Sequence, residues 1–185
     1  MIERRFLRLR AGIVQRIETE RLLLRPPEEA DLDGWAALQA DPEVARFLGG
    51  PLSRGQAWRN LATEAGSWRL KGYGMFSVIE KQTGQWIGRV GPHWPDGYPG
   101  LEVGWAVLPS RWGHGFATEA ATAAIRTVFR DLDCSEVIHL IDPQNLRSVR
   151  LAERLGASRV GAEKLPDPYD RFTVDRWRSL RSGWT

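Results

Sequence analysis

The sequence predicts an α/β (α+β) domain: a mixed, mostly antiparallel central sheet with helices on both faces. Three observations predict it. Helical and strand periodicities alternate along the chain. Three strand-like runs follow one another with only turn-rich segments between them, which makes antiparallel neighbours. Helix, strand, helix and two further strands then complete a pattern in which helices must cover both faces. With 185 residues, no internal repeat and no linker, the chain suits one domain with a sizeable core.

Each element has its own signal. Residues 21–25, "RLLLR", form a short apolar strand stopped by Pro26-Pro27. In "EEADLDGWAALQAD", Leu32, Trp35, Ala36 and Leu38 recur at helical spacing. "PEVARFLGG" is a short helix with a proline start and a glycine stop. Ser53 suits the N-cap of a helix over 54–70, with Trp58, Leu61, Ala62, Ala65 and Trp68 on one side and Gly72 and Gly74 at its end. Residues 75–80 and 85–90 flank the turn "KQTG" as a hairpin. The loop "GPHWPDGYPG" then leads to a third strand, 101–107. After a glycine-rich corner a helix runs over 116–130, followed by the buried strand "SEVIHLI" at 135–141. "NLRSVRLAERLG" is a helix that begins after Asp142-Pro143 and ends at Gly156, and two strands follow at 160–165 and 171–177.

Composition narrows the function classes. Hydrophobic residues make up 42% and charged residues 26%, ordinary for a globular domain. The net charge of +3 and the near absence of lysine (Lys71, Lys81, Lys164) leave no lysine-rich patch for nucleic acid. A single cysteine, Cys134, permits no internal disulfide and suits a reducing, cytoplasmic setting. The histidines His93, His114 and His139 have no metal-ligand spacing, so no metal is expected. No apolar run is long enough to span a membrane. The basic start "MIERRFLRLRAGIVQ" lacks the apolar core and cleavage site of a signal peptide, and residues 1–17 read as an N-terminal extension of unknown structure ahead of a domain over 18–185.

The chemistry centres on "LEVGWAVLPSRWGHGFATEA". A strand stops at Pro109, and Gly113, Gly115 and Ala117 keep side-chain bulk away from the start of the next helix. Free N–H groups and a partial positive charge at such a start make an anion site. The same glycines also suit a tight turn with no ligand. A P-loop is excluded because no lysine follows. A dinucleotide fingerprint fits poorly, since "GHGFAT" puts Thr118 where Gly or Ala belongs. A pyrophosphate-containing acyl carrier such as coenzyme A remains.

This run resembles motif A of the GNAT superfamily of N-acetyltransferases, in which [QR]xxGx[GA] grips the pyrophosphate of acetyl-CoA. Gly115 takes the glycine position and Ala117 the last small one. Trp112 stands where Gln or Arg is expected, which is similar to the ribosomal-protein N-acetyltransferase (RimJ/RimL-like) branch. "TERLLLRPPEEADLDGW" resembles that branch's first strand and helix, and "NLRSVRLAERLGA" its NxxSxxLxxxLG helix, so the likeness covers residues 18–177.

The resemblance implies a GNAT fold whose sheet splays after the third antiparallel strand, so that the pantetheine arm pairs there like an added strand. It implies that Trp105, Ala106, Val107 and Leu108 line that arm. It also implies that Trp112, Gly113, His114, Gly115, Phe116, Ala117 and Thr118 contact the diphosphate. The reaction is acyl transfer from a thioester to a primary amine, which must shed a proton before it attacks. Glu102 is the candidate base, directly or through water; the alternative for Glu102 is an ion pair with a nearby arginine. His93, in the loop before the strand, is the second candidate base, its imidazole being closer to working pH. Asn145 is either an N-cap alone or, as the resemblance implies, also a pantetheine contact. The resemblance puts the Ser148 hydroxyl near the sulfur. Many members protonate the thiolate with a tyrosine on this helix; here the tyrosines are Tyr73, Tyr98 and Tyr169, leaving Ser148 as the candidate acid. A strand N–H near 105–107 would hold the oxyanion.

Of nine tryptophans, Trp35, Trp58 and Trp68 are expected in the core, while Trp94, Trp105 and Trp112 surround the cleft. The acceptor cleft is expected from residues 40–53, 91–100 and the tail near Tyr169 and Asp170, with Asp96 and Asp170 able to attract a cation. The acceptor is a small-molecule or peptide amine, the partners exclude nucleic acid and membrane, and the chain acts as a monomer or homodimer. The rival reading is a non-catalytic acyl-CoA sensor of the same fold; the presence of Glu102 and Ser148 favours the enzyme.

Overall fold

A computed structural model of the protein describes residues 16–167 and 169–184. The expected N-terminal extension falls outside the described residues up to residue 15. From there Ile17–Glu18 (β1) pairs antiparallel with Leu22–Arg25 (β2). β2 alternates, with Leu22 and Leu24 fully buried. Arg25 leaves the strand toward Asp31, which it grips with two hydrogen bonds of 2.8 and 2.7 Å.

The helical segment after β2 comprises α1 (Leu32–Ala40), the single-turn α2 (Pro42–Ala45) and α3 (Arg54–Lys71). Trp35 and Leu38 of α1 are fully buried. Gly34 lets the helix lie on the Trp86 ring, where any Cβ would collide. Asp41 caps α2 by accepting from the Glu43 and Val44 N–H groups. Ser53 caps α3 as expected, in a reciprocal box with Gln56. The buried stripe of α3 differs from expectation: it is Ala57, Leu61 and Glu64, whereas Trp58 is 51% exposed. An acidic side chain with buried partners occupies the position that apolar periodicity alone would have passed over.

Then come β3 (Phe76–Glu80), β4 (Trp86–His93) and β5 (Glu102–Val107), each antiparallel to its neighbour. β4 is longer than the hairpin signal predicted. Its ladder with β5 continues to the pair His93↔Glu102, so His93 is a strand residue and not part of the following loop. After a short 3₁₀ turn at Pro109–Arg111 the chain enters α4 (Phe116–Asp131), then β6 (Glu136–Ile141), α5 (Leu146–Arg154), β7 (Ser158–Lys164) and β8 (Thr173–Leu180).

These strands form one sheet in the order β1-β2-β3-β4-β5-β6-β8-β7. Every pairing is antiparallel except β5 with β6, which are parallel and share the single registered pair Glu102↔Ile138. The Ile138 N–H donates to the Leu101 carbonyl at 2.9 Å, and beyond that point the two strands part. α4 packs on β4 and β5. Its Ala120, Ala121, Ala124 and Ile125 are fully buried with Val78, Val90 and Val103 in the main core. The small alanine face lets the helix sit close to the sheet. A second cluster of Ile141, Ala152 and Trp177 lies on the far side of the parting strands. The expected mixed sheet, interrupted in its middle, is the observed architecture.

Candidate active site

The parting of β5 and β6 opens a cleft of about 390 Å³. One wall is α3 with Asn60, Thr63 and Glu64; the floor is β4 and β5 with Arg89, His93, Glu102 and Trp105. The far wall is β6 and the start of α5 with His139, Asn145 and Ser148. Residues 46–50, the loop bearing Asp96 and Tyr98, and the tail bearing Asp167, Tyr169 and Phe172 form the rim. The expected acceptor segments are therefore at the cleft, with Asp167 rather than Asp170 in its lining.

Strand geometry explains the grouping. His93 and Glu102 are direct cross-strand partners, so their side chains rise from the same face of the sheet. The His93 Nδ1–H meets the Glu64 Oε1 at 2.9 Å, and the other Glu64 oxygen accepts the Met75 N–H at 3.1 Å. With Nδ1–H committed, a neutral His93 keeps its lone pair on Nε2. Tyr98 meets the His93 ring edge-on, centroids 5.1 Å apart. Burial alone would push the Glu64 carboxyl up; the His93 hydrogen bond and charge, with Arg89 and the Met75 N–H, outweigh it and the net direction is down. Glu102 goes the other way. Its surroundings are dense around the carboxyl, and that burial raises its pKa against the His93 and Arg89 charges and a 3.4 Å hydrogen bond from the Leu140 N–H. A carboxyl shifted upward and facing a cleft has the character of a general base.

His139, on β6, bridges the parting strands. It is 1% exposed, its Nδ1–H donates to the Val103 carbonyl at 2.7 Å, and its Nε2 accepts from the Ser179 hydroxyl at 3.1 Å. Burial lowers its pKa to about 4, so the ring is neutral. Trp105 lies against it, centroids 5.0 Å apart, and donates its indole N–H to the Ser148 hydroxyl at 3.2 Å. Asn145 is the N-cap of α5: its side-chain oxygen accepts the Ser148 N–H at 3.2 Å, and its amide also lines the cleft.

The structure thus brings Glu102, His93, Trp105, Asn145 and Ser148 together. The glycine corner is a separate feature, and Trp112, Gly113, His114, Gly115, Phe116, Ala117 and Thr118 lie outside the cleft lining, as do Ala106, Val107 and Leu108. Gly113 and Gly115 have φ of 78° and 81°, a left-handed backbone that disfavours any side chain. Gly115 is the N-cap of α4 and, among the described residues, no side chain caps that helix, which leaves its first-turn N–H groups without a side-chain acceptor. Arg21 donates to the His114 carbonyl at 2.9 Å and binds Glu119, bracing the corner from β2. Phe116 is buried in the core, its ring stacked with His114 (centroids 6.1 Å apart) and lying under the Arg21 guanidinium at 4.5 Å. Trp112 donates its indole N–H to the Val107 carbonyl at 2.8 Å, and Arg147 lies 4.0 Å over its ring. Trp94 and Trp112 do not line the cleft; of the three tryptophans placed around it, Trp105 does.

Two lining residues escaped the sequence reading. Glu64 reads as one more solvated helix charge, although its spacing from Ala57 and Leu61 puts it on their face. Arg89 sits in a hairpin strand with no motif around it. Among the described residues, no cluster of three or more His, Cys, Asp or Glu is arranged to hold a metal. No helix among them is long and apolar enough to cross a membrane.

Comparison with known proteins agrees with this geometry. Residues 21–158 match the sequence model of the acetyltransferase (GNAT) domain. The protein YkkB of Bacillus subtilis (strain 168) is 31% identical over 148 residues, spanning 76% of this chain and 84% of that one. The N-acetyltransferase p20 of Bacillus licheniformis is 30% identical over 151 residues, spanning 80% and 85%. The crystal structure of the acetyltransferase from Agrobacterium tumefaciens str. C58 superposes with a TM-score of 0.79 at 28% identity, over 90% of this chain and 94% of that chain. A sheet opened between β5 and β6, an uncapped glycine corner at α4 and a matching sequence over most of the domain lead to one conclusion: this chain belongs to the GNAT family of acetyltransferases.

Proposed function

We propose that the protein is an acetyl-CoA-dependent N-acetyltransferase acting on a primary amine by direct attack, as a GNAT domain beginning near residue 18. The observation that carries this reading is the meeting of two proton acceptors, Glu102 and His93, with Trp105, Asn145 and Ser148 where β5 and β6 part. Acetyl-CoA would supply the activated acyl group. The residues present fit it: the open N–H groups of the first turn of α4 suit its diphosphate, and the free edge of β5 suits its pantetheine amides. Side-chain-free backbone at Gly113 and Gly115 permits close approach.

Glu102 takes the ammonium proton, directly or through one water, and so delivers a neutral amine. His93, fixed by Glu64, stands opposite and is the alternative base. N–H groups on β5 near 105–107 stabilise the developing oxyanion. Ser148, whose oxygen accepts from Trp105, has its hydroxyl proton free for the leaving thiolate. The motif similarity favours the ribosomal-protein branch, while the acceptor itself is chosen by the residues at the rim of the cleft. The setting is cytoplasmic, given one unpaired cysteine.

The test is transfer. Acetyl-CoA should raise the melting temperature where NAD and ATP do not, the shift reflecting about 2.7 kcal/mol of stabilisation at a hundredfold excess over Kd. Thiol release should follow on addition of amines. Tight coenzyme binding with no turnover on any amine would overturn the enzyme reading in favour of a sensor.

A further inference from the structure

Two polar side chains in the cleft have no partner suited to them. Arg89, half-buried on β4, has its Nε fully covered and without a hydrogen bond. The polar contact its guanidinium makes is to the Met75 thioether, Nη1 to Sδ at 3.1 Å. The group lies 5.4 Å from the Trp35 ring, and among the described residues no carboxylate comes within ion-pair distance of it. Asp31, one strand away, is saturated by Arg25, the Glu28 N–H and the Ser77 hydroxyl. Gln39, 4% exposed and one turn beyond Trp35 on α1, also lines the cleft, and its side-chain oxygen is buried without a donor.

A half-buried guanidinium whose Nε is covered and which, among the described residues, has neither a carboxylate partner nor a full set of hydrogen bonds is costly. The fields of Glu64 and Glu102 offset part of that cost, since Arg89 lowers both their pKa values. They do not fill its hydrogen bonds. The planar fork is matched by a carboxylate. Resting on the acetyltransferase reading, we propose that the acceptor is a small amine that also carries a carboxylate, an amino acid in the broad sense. Its carboxylate binds Arg89, while its amine lies toward Glu102 and His93. The cleft then has a cationic end and a proton-accepting end, complementary to a zwitterion. Its volume, about 390 Å³ for acceptor and acyl arm together, suits a small molecule.

The experiment compares amino acids with their own primary carboxamides, which keep size and amine but lose the charge. Thiol release from acetyl-CoA is measured for each pair with the wild type, Arg89→Gln and Arg89→Lys, each checked for folding by thermal melting. The wild type should favour the acids at least about tenfold in kcat/KM. Arg89→Gln should collapse that ratio to near unity through KM for the acids, and Arg89→Lys, which keeps the charge without the fork, should fall between. Equal use of acids and amides by the wild type, or equal losses on both in Arg89→Gln, would overturn the carboxylate assignment and leave the acetyltransferase reading standing. No turnover on either series, or on amine-bearing peptides, would overturn both.

Discussion

Glu102 and His93 face one another across two strands, yet their surroundings treat them differently. His93 is clamped by a buried carboxylate; Glu102 has one long hydrogen bond and a shell that disfavours its charge. With the Glu102 pKa raised by burial, its basic form gains population only above the ordinary carboxylate range, roughly pH 4.3. The acid limb of kcat/KM against pH should lie above that value. Glu102→Gln should abolish the limb and lower kcat by about 10²–10⁴ with little change in acetyl-CoA KM. If the limb persists in Glu102→Gln and vanishes in His93→Gln, the base is His93. Glu64 shows why such a residue is hard to find in a sequence. Its spacing places it on the buried face, but only the fold reveals that a histidine from β4 and an N–H from Met75 wait there.

At the scale of elements, the glycine corner and α4 make one device. Two left-handed glycines turn the chain, the second becomes the helix N-cap, and Arg21 fastens the corner to β2. Gly115→Val places a branched Cβ at φ 81° beside the Arg21 guanidinium, where both strain and bulk act on the corner. Acetyl-CoA KM should rise by about tenfold or more while the cleft's own residues stay in place. Unchanged coenzyme affinity in folded protein would remove the diphosphate from this corner. The turn into α4 was legible because closely spaced glycines at a strand–helix junction mark a left-handed backbone. The face of α3 was not. Trp58 fits the apolar pattern, and the helix still turns it outward because Glu64 and Trp68 bind the Met75 backbone and fix the rotation.

At the scale of the whole molecule, a side chain bridges the gap where the β5–β6 ladder stops. His139 joins the Val103 carbonyl on β5 to Ser179 on β8, and burial keeps its ring neutral. Its folded pKa of about 4 lies below its ordinary 6.5, so between these values the unfolded chain binds a proton that the native one refuses. Stability therefore falls as pH drops from 6.5 toward 4, by about 3 kcal/mol in all. Glu102, with its raised pKa, has the opposite sign, so the difference between wild type and His139→Gln is the informative quantity. Urea midpoints across this range should decline more steeply for wild type; parallel curves would refute the buried neutral ring. The sequence by itself determined the order of elements, the glycine corner and the chemical type of Glu102, His93, Asn145 and Ser148, because periodicity, caps and turn residues are local. Only the tertiary structure decided that His93 lies in a strand opposite Glu102, that Glu64 holds it, that His139 bridges β5 and β8 and that Arg89 meets no carboxylate among the described residues. Those facts depend on which distant segments share one volume, and burial acts on a side chain only after the chain has closed around it.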